Sequence, residues 1–196
     1  MFFSVVITMY EPDQIFLPRA MTCLLNQSFK DFEVLVIVDG DTPLTKYDPR
    51  HICGKTIPAR IEYLPRSNTI GFRERHHSLQ LATGEYIAWL NVDNLVYPNW
   101  LENHYQNSLK AKGAISVINI QYWQRADYWG VLPRALAYGE FDLLNYALPL
   151  ELAKRMRIFG PDTERIAHAD WLAFERCANE APVIWERDQP VCACHF

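Results

Sequence analysis

Two stretches that consist almost entirely of apolar and β-branched residues constrain this chain more than any other feature. Residues 2–9 read FFSVVITM and residues 33–38 read EVLVIV, and polar or turn-forming residues follow each stretch. A strand that is apolar at consecutive positions is covered on both of its faces, which is typical of parallel sheets. These two segments therefore predict central strands of a sheet with helices on both faces.

Segments with helical periodicity alternate with the strands along the chain. Apolar residues recur three or four positions apart between Leu17 and Leu25, which predicts a helix that ends near Gln27. Further helices are predicted over 72–83, with Gly84 as the cap, and over 98–113. Further strands are predicted over 61–64, 86–90 and 114–120. This alternation predicts an α/β fold with a mostly parallel sheet. The aromatic segment 121–142 has no regular period and is interpreted as a loop.

Length and charge limit the class of protein. The chain has 196 residues, which is enough for one domain with a full core. Its formal net charge of −4 argues against a nucleic-acid partner, which would favour a basic surface. No stretch has the ~20 apolar residues of a membrane span, and the start of the chain lacks the basic residues of a signal peptide. We therefore expect one cytoplasmic domain over 1–196, with peripheral contact to a membrane as the alternative.

The cysteines indicate a reducing compartment. They form an odd set and contain no CxxC pair of the kind that holds zinc. We therefore expect reduced and mostly buried thiols at Cys23, Cys53, Cys177, Cys192 and Cys194.

Polar residues follow three of the predicted strands. Tyr10 and Glu11 follow the first strand, residues 39–41 follow the second, and residues 91–94 follow the strand at 86–90. In parallel α/β sheets, ligands bind beyond the carboxyl ends of the strands. The sequence therefore predicts a ligand site formed by these three loops.

Asp93 is the first candidate in these loops for a metal ligand. It lies between Asn91 and Asn94 on a strand-to-helix loop, so several side-chain oxygens occur on one short turn. Oxygen ligands suit an Mg²⁺ or Mn²⁺ ion that bridges two phosphates. The alternative is an Asx-rich turn that caps the next helix.

The segments that carry these loops resemble family-2 glycosyltransferases of the GT-A fold, including the spore-coat polysaccharide enzyme type. The resemblance runs through VVITMYEPDQIFLPRAMTCLLNQSFKDFEVLVIVDGDTP and GFRERHHSLQLATGEYIAWLNVDNLVYPNWLE. It is close over about residues 3–104 and looser in the remainder. It implies a single-domain, Rossmann-like GT-A fold, in which residues 1–112 bind a nucleotide sugar and residues 113–196 supply the acceptor side and the catalytic base.

The resemblance implies nucleotide-binding roles for Thr8, Tyr10, Glu11, Asp39 and Arg75. Asp39 would accept a hydrogen bond from a ring N–H of uracil, thymine or guanine, and Tyr10 would stack on the base. Arg75 would lie near the diphosphate or the base, where Gly71 permits close approach of the backbone. A turn position for Asp39, simple packing for Tyr10 and a solvated surface position for Arg75 are the alternatives.

The resemblance also implies a divalent metal cofactor, Mn²⁺ or Mg²⁺. Asp93 matches the principal metal ligand of the family, and His195 resembles a trailing histidine that some relatives offer to the metal or the diphosphate. Asn91 and Asn94 replace acids that are common in the family, and this smaller negative charge should weaken metal affinity. For His195, an exposed position near the end of the chain is the alternative.

The catalytic base implied by the resemblance is Asp170. The segment AHADWLAFERC matches the start of a late helix that carries the base, although Ala169 replaces the family's preceding Glu. Such a base deprotonates the acceptor hydroxyl as it attacks the anomeric carbon. An N-cap role for Asp170 is the alternative, since Asp is favoured at that position.

Taken with the residues, the resemblance predicts an inverting, metal-assisted glycosyltransferase of the hexosyltransferase type, active in polysaccharide synthesis. The expected donor is a UDP-sugar and the expected acceptor is a saccharide or a lipid-linked sugar, with the aromatic stretch 122–129 as its platform and a homodimer as a further expectation. A GT-A protein that binds a nucleotide sugar with weak or no catalysis is the alternative, and the acids replaced at Val38, Asn91, Asn94 and Ala169 favour it. A dinucleotide-dependent oxidoreductase is excluded because no GxGxxG follows the first strand.

Overall fold

The computed structural model describes most of the chain. The described residues are 1–40, 47–54, 56–67, 69, 71–124, 127–160 and 169–195, and for Glu11, Gln124, Trp129 and His195 only the backbone is described.

Strands and helices alternate through the first half of the chain, whereas strands dominate the second half. In chain order the elements are β1 (Phe3–Tyr10), α1 (Leu17–Leu25), β2 (Phe32–Asp39), α2 (Pro49–Cys53), β3 (Ala59–Leu64), α3 (Phe72–Leu81), β4 (Tyr86–Asn91), β5 (Leu95–Val96), α4 (Trp100–Lys110), β6 (Ile115–Val117), β7 (Ile120–Gln124), β8 (Asp127–Leu132), β9 (Tyr146–Pro149), α5 (Leu150–Arg155), α6 (Ala169–Ala178), β10 (Val183–Trp185) and β11 (Ala193–His195). Short 3₁₀ helices cover Glu11–Phe16 and Leu143–Asn145.

The larger sheet has seven strands in the order β10-β6-β9-β4-β1-β2-β3. Neighbouring strands are parallel except at β9, which lies antiparallel between β4 and β6. The predicted α/β fold with a mostly parallel sheet is therefore confirmed. The two apolar stretches form β1 and β2, which are neighbouring interior strands of the sheet.

Helices cover both faces of this sheet. On one face Val5 and Ile7 pack with α1 and α4, and on the other face Val6 and Leu35 pack with α3, α5 and α6. Because side chains alternate between faces along a strand, β1 and β2 need apolar residues at consecutive positions to fill both cores. The two cores fix the sheet rigidly, and the carboxyl ends of its strands are held in a defined order.

The interpretation of residues 121–142 as a loop is wrong. This region contains the hairpin β7–β8, which belongs to a four-stranded sheet in the order β5-β11-β7-β8. The register of the hairpin shifts between Tyr122 and Trp123, and this irregularity removes the period of two that would have indicated strands. The predicted strand over 114–120 also divides, because it ends as β6 at Val117 and resumes as β7 at Ile120.

Gly84 is not a helix cap, contrary to the prediction. Helix α3 ends at Leu81 and its C-cap is Ala82. A Cβ atom on Gly84 would lie 2.6 Å from the backbone carbon of Phe3 and from the backbone nitrogen of Ser4. Glycine is therefore required here because the chain passes directly against β1. Similarly, α4 ends at Lys110, before the predicted end of that helix.

The structure bears on the cysteines and on the prediction that the chain has no membrane span. The five cysteines are free, and all except the half-buried Cys23 are buried, as expected. Among the described residues, no helix has both the length and the apolar character needed to cross a membrane.

Candidate functional site

The carboxyl ends of β1, β2 and β4 border one cavity of about 600 Å³. The register of the sheet explains why, since Tyr10 pairs with Asp39 on β2 and Thr8 pairs with Asn91 on β4. The cavity is lined by five of the residues selected from the sequence, namely Thr8, Tyr10, Asp39, Arg75 and Asp93. The predicted meeting of the three strand-end loops is thus observed, although the roles of these residues stay predictions.

We call the side of the cavity formed by Tyr10, Asp39 and Arg66 the Asp39 end. Asp39 is only 9% exposed. Its Oδ1 atom accepts a hydrogen bond of 2.7 Å from the backbone N–H of Ser67, and Arg73 Nη2 lies 3.5 Å from the same oxygen. The carboxylate is therefore fixed in one orientation at the carboxyl end of β2.

A fully buried carboxylate, Glu74, extends this network. Arg73 Nη2 lies 2.9 Å from Glu74 Oε1, and the hydroxyls of Ser67 and Thr69 also donate to the Glu74 carboxylate. Arg73 thus lies between Asp39 and Glu74 and stabilises both charges. This pair is not predictable from the sequence, because its only local signal is the run of mixed charges at 73–75, which is usual on a solvated helix.

Arg66 covers the Tyr10 ring. Its guanidinium carbon lies 4.5 Å from the ring centroid, and Nη2 donates a hydrogen bond of 2.7 Å to the Tyr10 hydroxyl. Arg66 lines the cavity, but it was not a candidate in the sequence because it belongs to no strand-end motif. A planar cation on an aromatic face is a favourable arrangement, and it fixes the orientation of the ring.

We call the opposite side, formed by Asp13, Arg75, Asn91 and Asp93, the Asp93 end. Asp93 is exposed, and Arg19 donates a hydrogen bond to its backbone carbonyl. The pKa of the Asp13 carboxyl is raised above its usual range, first by burial and then by the negative charge of Asp93. Two neighbouring carboxylates repel each other, and a shared cation would offset that repulsion.

The donor set at the Asp93 end fits a divalent ion only when other ligands join it. Asn94 is fully buried, and the described residues contain no group of three or more His, Cys, Asp or Glu that could hold a metal ion. Mg²⁺ commonly binds one or two carboxylates together with substrate phosphates and water. The carboxylates of Asp13 and Asp93 suit that arrangement. Asp13 was not among the predicted site residues, because it lies three residues beyond the end of β1, in the 3₁₀ helix that follows it.

Arg75 connects the cavity to helix α6. Its Nη2 atom donates to Asn91 Oδ1 at 3.3 Å, and its Nη1 atom lies 3.8 Å from Asp170 Oδ1. Its guanidinium also lies within 6 Å of the ring centroids of Phe72 and Phe159, at 5.5 and 5.7 Å. The side chain is buried, so the solvated surface position considered from the sequence is wrong.

Asp170 lies inside the first turn of α6, after Ala169, rather than at the N-cap. The hydroxyl of Tyr146 donates a hydrogen bond of 3.1 Å to the backbone carbonyl of Asp170. Burial raises the pKa of Tyr146 well above its usual value, and the charge of Asp170 raises it further. The pKa of Tyr122 is raised by burial and then by the charges of Asp142 and Asp170, so Tyr122 on the β7–β8 hairpin lies within electrostatic range of the Asp170 carboxylate.

Two predicted site residues have side chains outside the described part of the structure. Glu11 begins the 3₁₀ helix after β1, and the backbone of His195 pairs with Tyr122 in the smaller sheet. Their nucleotide-binding and metal-binding roles stay predictions.

The sequence matches a known family model. The model described as Glycosyl transferase family 2 matches residues 4–168. An uncharacterized glycosyltransferase of Haemophilus influenzae is 27% identical over 100 residues, which cover 50% of this chain and 30% of that protein. The glycosyltransferase GlyA of Streptococcus pneumoniae is 20% identical over 162 residues, which cover 80% of this chain and 23% of that protein. This chain therefore spans less than a third of the length of these relatives.

Solved structures of glycosyltransferases have the same fold. TarS of S. aureus, as residues 1–349 in complex with UDP, superposes with a TM-score of 0.79 at 16% identity, over 100% of this chain and 60% of that chain. A mannosyltransferase from Pyrobaculum calidifontis, in complex with GDP-Man and Mn²⁺, gives 0.70 at 14% identity, over 98% of this chain and 56% of that chain. These superpositions confirm the predicted GT-A fold.

Proposed function

This chain belongs to glycosyl transferase family 2, and on that premise we propose that it transfers a sugar from a nucleoside-diphosphate donor to an acceptor hydroxyl. One observation carries the proposal. Side chains from the ends of three neighbouring strands, Tyr10, Asp39 and Asp93, line a single cavity with Arg75. A ligand that offers an aromatic base, a sugar and two phosphates has the chemistry to contact all of them.

We infer that the Asp39 end binds the base. Asp39 is fixed by Ser67 and Arg73, and a carboxylate accepts a hydrogen bond from the ring N–H of uracil or guanine. Tyr10 supplies an aromatic face for stacking. The proposed donor is a UDP-sugar, and the similarity of the fold to that of TarS, which was solved with UDP, supports this choice.

A divalent ion, Mn²⁺ or Mg²⁺, would be held at the Asp93 end by Asp93 and Asp13, with His195 as a further proposed ligand. Bound there, such an ion supplies Lewis-acid stabilisation of the departing diphosphate. Both carboxylates line the cavity, and the pKa of Asp13 is raised first by burial and then by the nearby charge of Asp93. The mannosyltransferase with the same fold was solved with Mn²⁺.

Asp170 is the proposed general base for transfer with inversion. Its carboxylate takes the proton of the acceptor hydroxyl while the hydroxyl oxygen forms a bond to the anomeric carbon. The bond from that carbon to the diphosphate oxygen breaks, and the nucleoside diphosphate leaves with the electron pair. The 3.8 Å separation between Asp170 and Arg75, which lines the cavity, supports this proposed role.

The β7–β8 hairpin is the proposed acceptor platform. The rings of Trp123 and Tyr128 lie 5.0 Å apart, Tyr128 is 53% exposed, and Tyr122 lies near Asp170. Flat rings pack on the apolar faces of sugars, so a saccharide or a lipid-linked sugar is the expected acceptor. Residues 1–112 thus supply the donor site and residues 113–196 supply the acceptor side. A homodimer and a cytoplasmic location stay predictions.

A panel of nucleotide sugars tests the proposal through thermal stability. A ligand that binds only the native state raises the melting temperature by mass action. We expect UDP-sugars with Mn²⁺ to raise it most, and chelator to remove part of this rise. Asp93→Ala should abolish the metal-dependent part, whereas the exposed control Asp188→Asn should leave it unchanged.

Two outcomes would count against the proposal in different ways. If no nucleotide shifts the melting temperature of the wild-type protein, the nucleotide-binding function is wrong. If UDP-sugars bind but no UDP is released with any acceptor, with or without Mn²⁺, the protein is a nucleotide-sugar-binding protein without catalysis. The feature that favours this second candidate is the replacement of acids at four positions, Val38, Asn91, Asn94 and Ala169.

A further inference from the structure

Arg75 makes contacts that serve two different parts of the site. One nitrogen of its guanidinium donates to Asn91 in the cavity, and another faces the Asp170 carboxylate on α6. Residues that line the cavity and residues of α6 therefore share one cation. This sharing is the starting point of the inference, which rests on the proposed function.

The pair between Arg75 and Asp170 is held by charge and not by a hydrogen bond. The separation of 3.8 Å between Arg75 Nη1 and Asp170 Oδ1 exceeds the range of protein hydrogen bonds. The side chain of Arg75 is 11% exposed, and the rings of Phe72 and Phe159 flank its guanidinium. In such surroundings the attraction is strong, but nothing in the geometry prevents the guanidinium from moving toward a better acceptor.

Two further features show that Arg75 is not optimally paired. The buried Nε atom has no hydrogen-bond partner among the described residues, and a buried unpaired donor is unfavourable. Gly71, with a φ of 82°, leaves open the space beside the guanidinium, where a Cβ atom would lie 3.6 Å from Arg75 Cζ. Within the described part of the chain, the guanidinium of Arg75 thus has one donor without an acceptor, and the space beside Gly71 next to it is not filled by a side chain.

A diphosphate in the cavity would compete with Asp170 for this cation. The planar guanidinium of arginine binds phosphate oxygens in a bidentate manner, and such charge-assisted hydrogen bonds are stronger than an ion pair at 3.8 Å. Asp170 needs to be free to accept a proton if it is the general base.

We propose that Arg75 is a positioning residue shared between donor and base: it holds the Asp170 carboxylate while the cavity is empty of donor, and moves to the diphosphate when the donor binds. The transfer of Arg75 releases Asp170 toward the acceptor hydroxyl, beside Tyr122 and Tyr146. Catalysis by Asp170 is thereby linked to the presence of the donor, and the donor binds before the acceptor can react.

A double-mutant cycle on nucleotide affinity tests this proposal. UDP affinity is measured by calorimetry, with Mg²⁺ present, for the wild type, Asp170→Asn, Arg75→Gln and the double variant. Because Asp170 competes for Arg75, Asp170→Asn should tighten UDP binding by about 5-fold. The same change in the Arg75→Gln background should alter it by less than about 2-fold, since the shared cation is gone. Uridine, which lacks the phosphates, and the control Asp188→Asn should show no such change.

The outcomes separate this inference from the proposed function. Equal tightening in both backgrounds would mean that Asp170 repels the diphosphate directly, and no tightening would mean that Arg75 is not shared; either result overturns the inference while the function stands. If neither UDP nor GDP binds the wild-type protein, the proposed function itself fails. GDP and guanosine replace UDP and uridine if GDP binds more tightly.

A second measurement keeps the test decisive if Arg75→Gln does not fold. The side-chain N–H resonance of Arg75 is followed by NMR in the wild type and in Asp170→Asn, each free and with UDP and Mg²⁺. The two proteins should differ in this resonance when free and coincide when UDP is bound. A difference that persists in the UDP complex would show that the pair with Asp170 is kept, and the proposal would be wrong.

Discussion

The two ends of the cavity are built in opposite ways. At the Asp39 end the carboxylate is 9% exposed, accepts a backbone N–H at 2.7 Å and shares Arg73 with the buried Glu74. At the Asp93 end the carboxylate of Asp93 is exposed, and the ion pair that Arg75 makes with Asp170 spans 3.8 Å. The strand order β4-β1-β2 places these ends on either side of β1.

This difference shows which part of the site is pre-organised. A buried carboxylate must be hydrogen-bonded and paired, so the Asp39 end is fixed before any ligand arrives. An exposed carboxylate keeps its lone pairs available for a ligand, and a long ion pair can be exchanged. The fixed end suits recognition of a rigid base, and the looser end suits a reaction in which charge moves.

The largest expected effect lies beyond the Asp93 end, at the proposed base. Asp170→Asn should lower the kcat of sugar transfer by about 10²–10⁴-fold, because an amide cannot take the proton of the acceptor. UDP should still raise the melting temperature of this variant, since the Asp39 end is unchanged. Steady-state assays of UDP release with an acceptor measure the loss. A kcat within about 10-fold of the wild type, with Asp188→Asn as the matched surface control, would remove Asp170 from the mechanism.

A smaller effect is expected on stability, which distinguishes the carboxylates of Asp39 and Asp93 in the absence of any ligand. Asp39→Ala leaves the Ser67 N–H without its acceptor and leaves Arg73 with Glu74 but without its second carboxylate, so we expect the free energy of unfolding to fall by about 1–3 kcal/mol. Asp93→Ala removes an exposed side chain and should change it by less than about 0.5 kcal/mol. Urea unfolding followed by circular dichroism compares the two variants. Equal losses would contradict the distinction between a fixed end and a loose end.

The smallest expected effect is at Arg66. Arg66→Ala removes the cation from the Tyr10 ring, where exposed contacts of this type contribute about 0.5–1 kcal/mol, so UDP affinity should fall by only a few-fold. Arg187, which lies 4.9 Å from the Trp185 ring and does not line the cavity, offers the matched control Arg187→Ala. Calorimetric titration with UDP measures both. If both variants bind UDP as the wild type does, Arg66 has no part in the Asp39 end.

The sequence predicted the position of Asp39 but not the network that fixes it. Its place after a buried apolar strand is a local property, and such patterns report burial reliably. Its partners come from the loop before α3 and from α3 itself, so they depend on how that helix packs against β2. From the sequence alone, Arg73 and Glu74 are expected to be ordinary surface charges, because this packing is not known.

The strands of the β7–β8 hairpin were not predicted, because their sequence lacks the regular alternation of apolar and polar residues that indicates a strand. Its strands belong to the small sheet with β5 and β11, which come from distant parts of the chain. The shift of register at Tyr122 and Trp123 interrupts the alternation of buried and exposed residues. Pairing partners that are distant in sequence therefore decided the structure of this segment.

By itself, the sequence determined the central strands, the helices that cover them and the polar residues at their carboxyl ends, because periodicity records which side chains are buried. Only the tertiary structure decided that Arg75 faces Asp170, that Asp13 lies near Asp93 and that β9 runs antiparallel between β4 and β6. Each of these contacts joins elements whose relative placement results from the packing of both cores together. No local sequence pattern specifies how the two cores pack together, so these contacts are seen only in the folded chain.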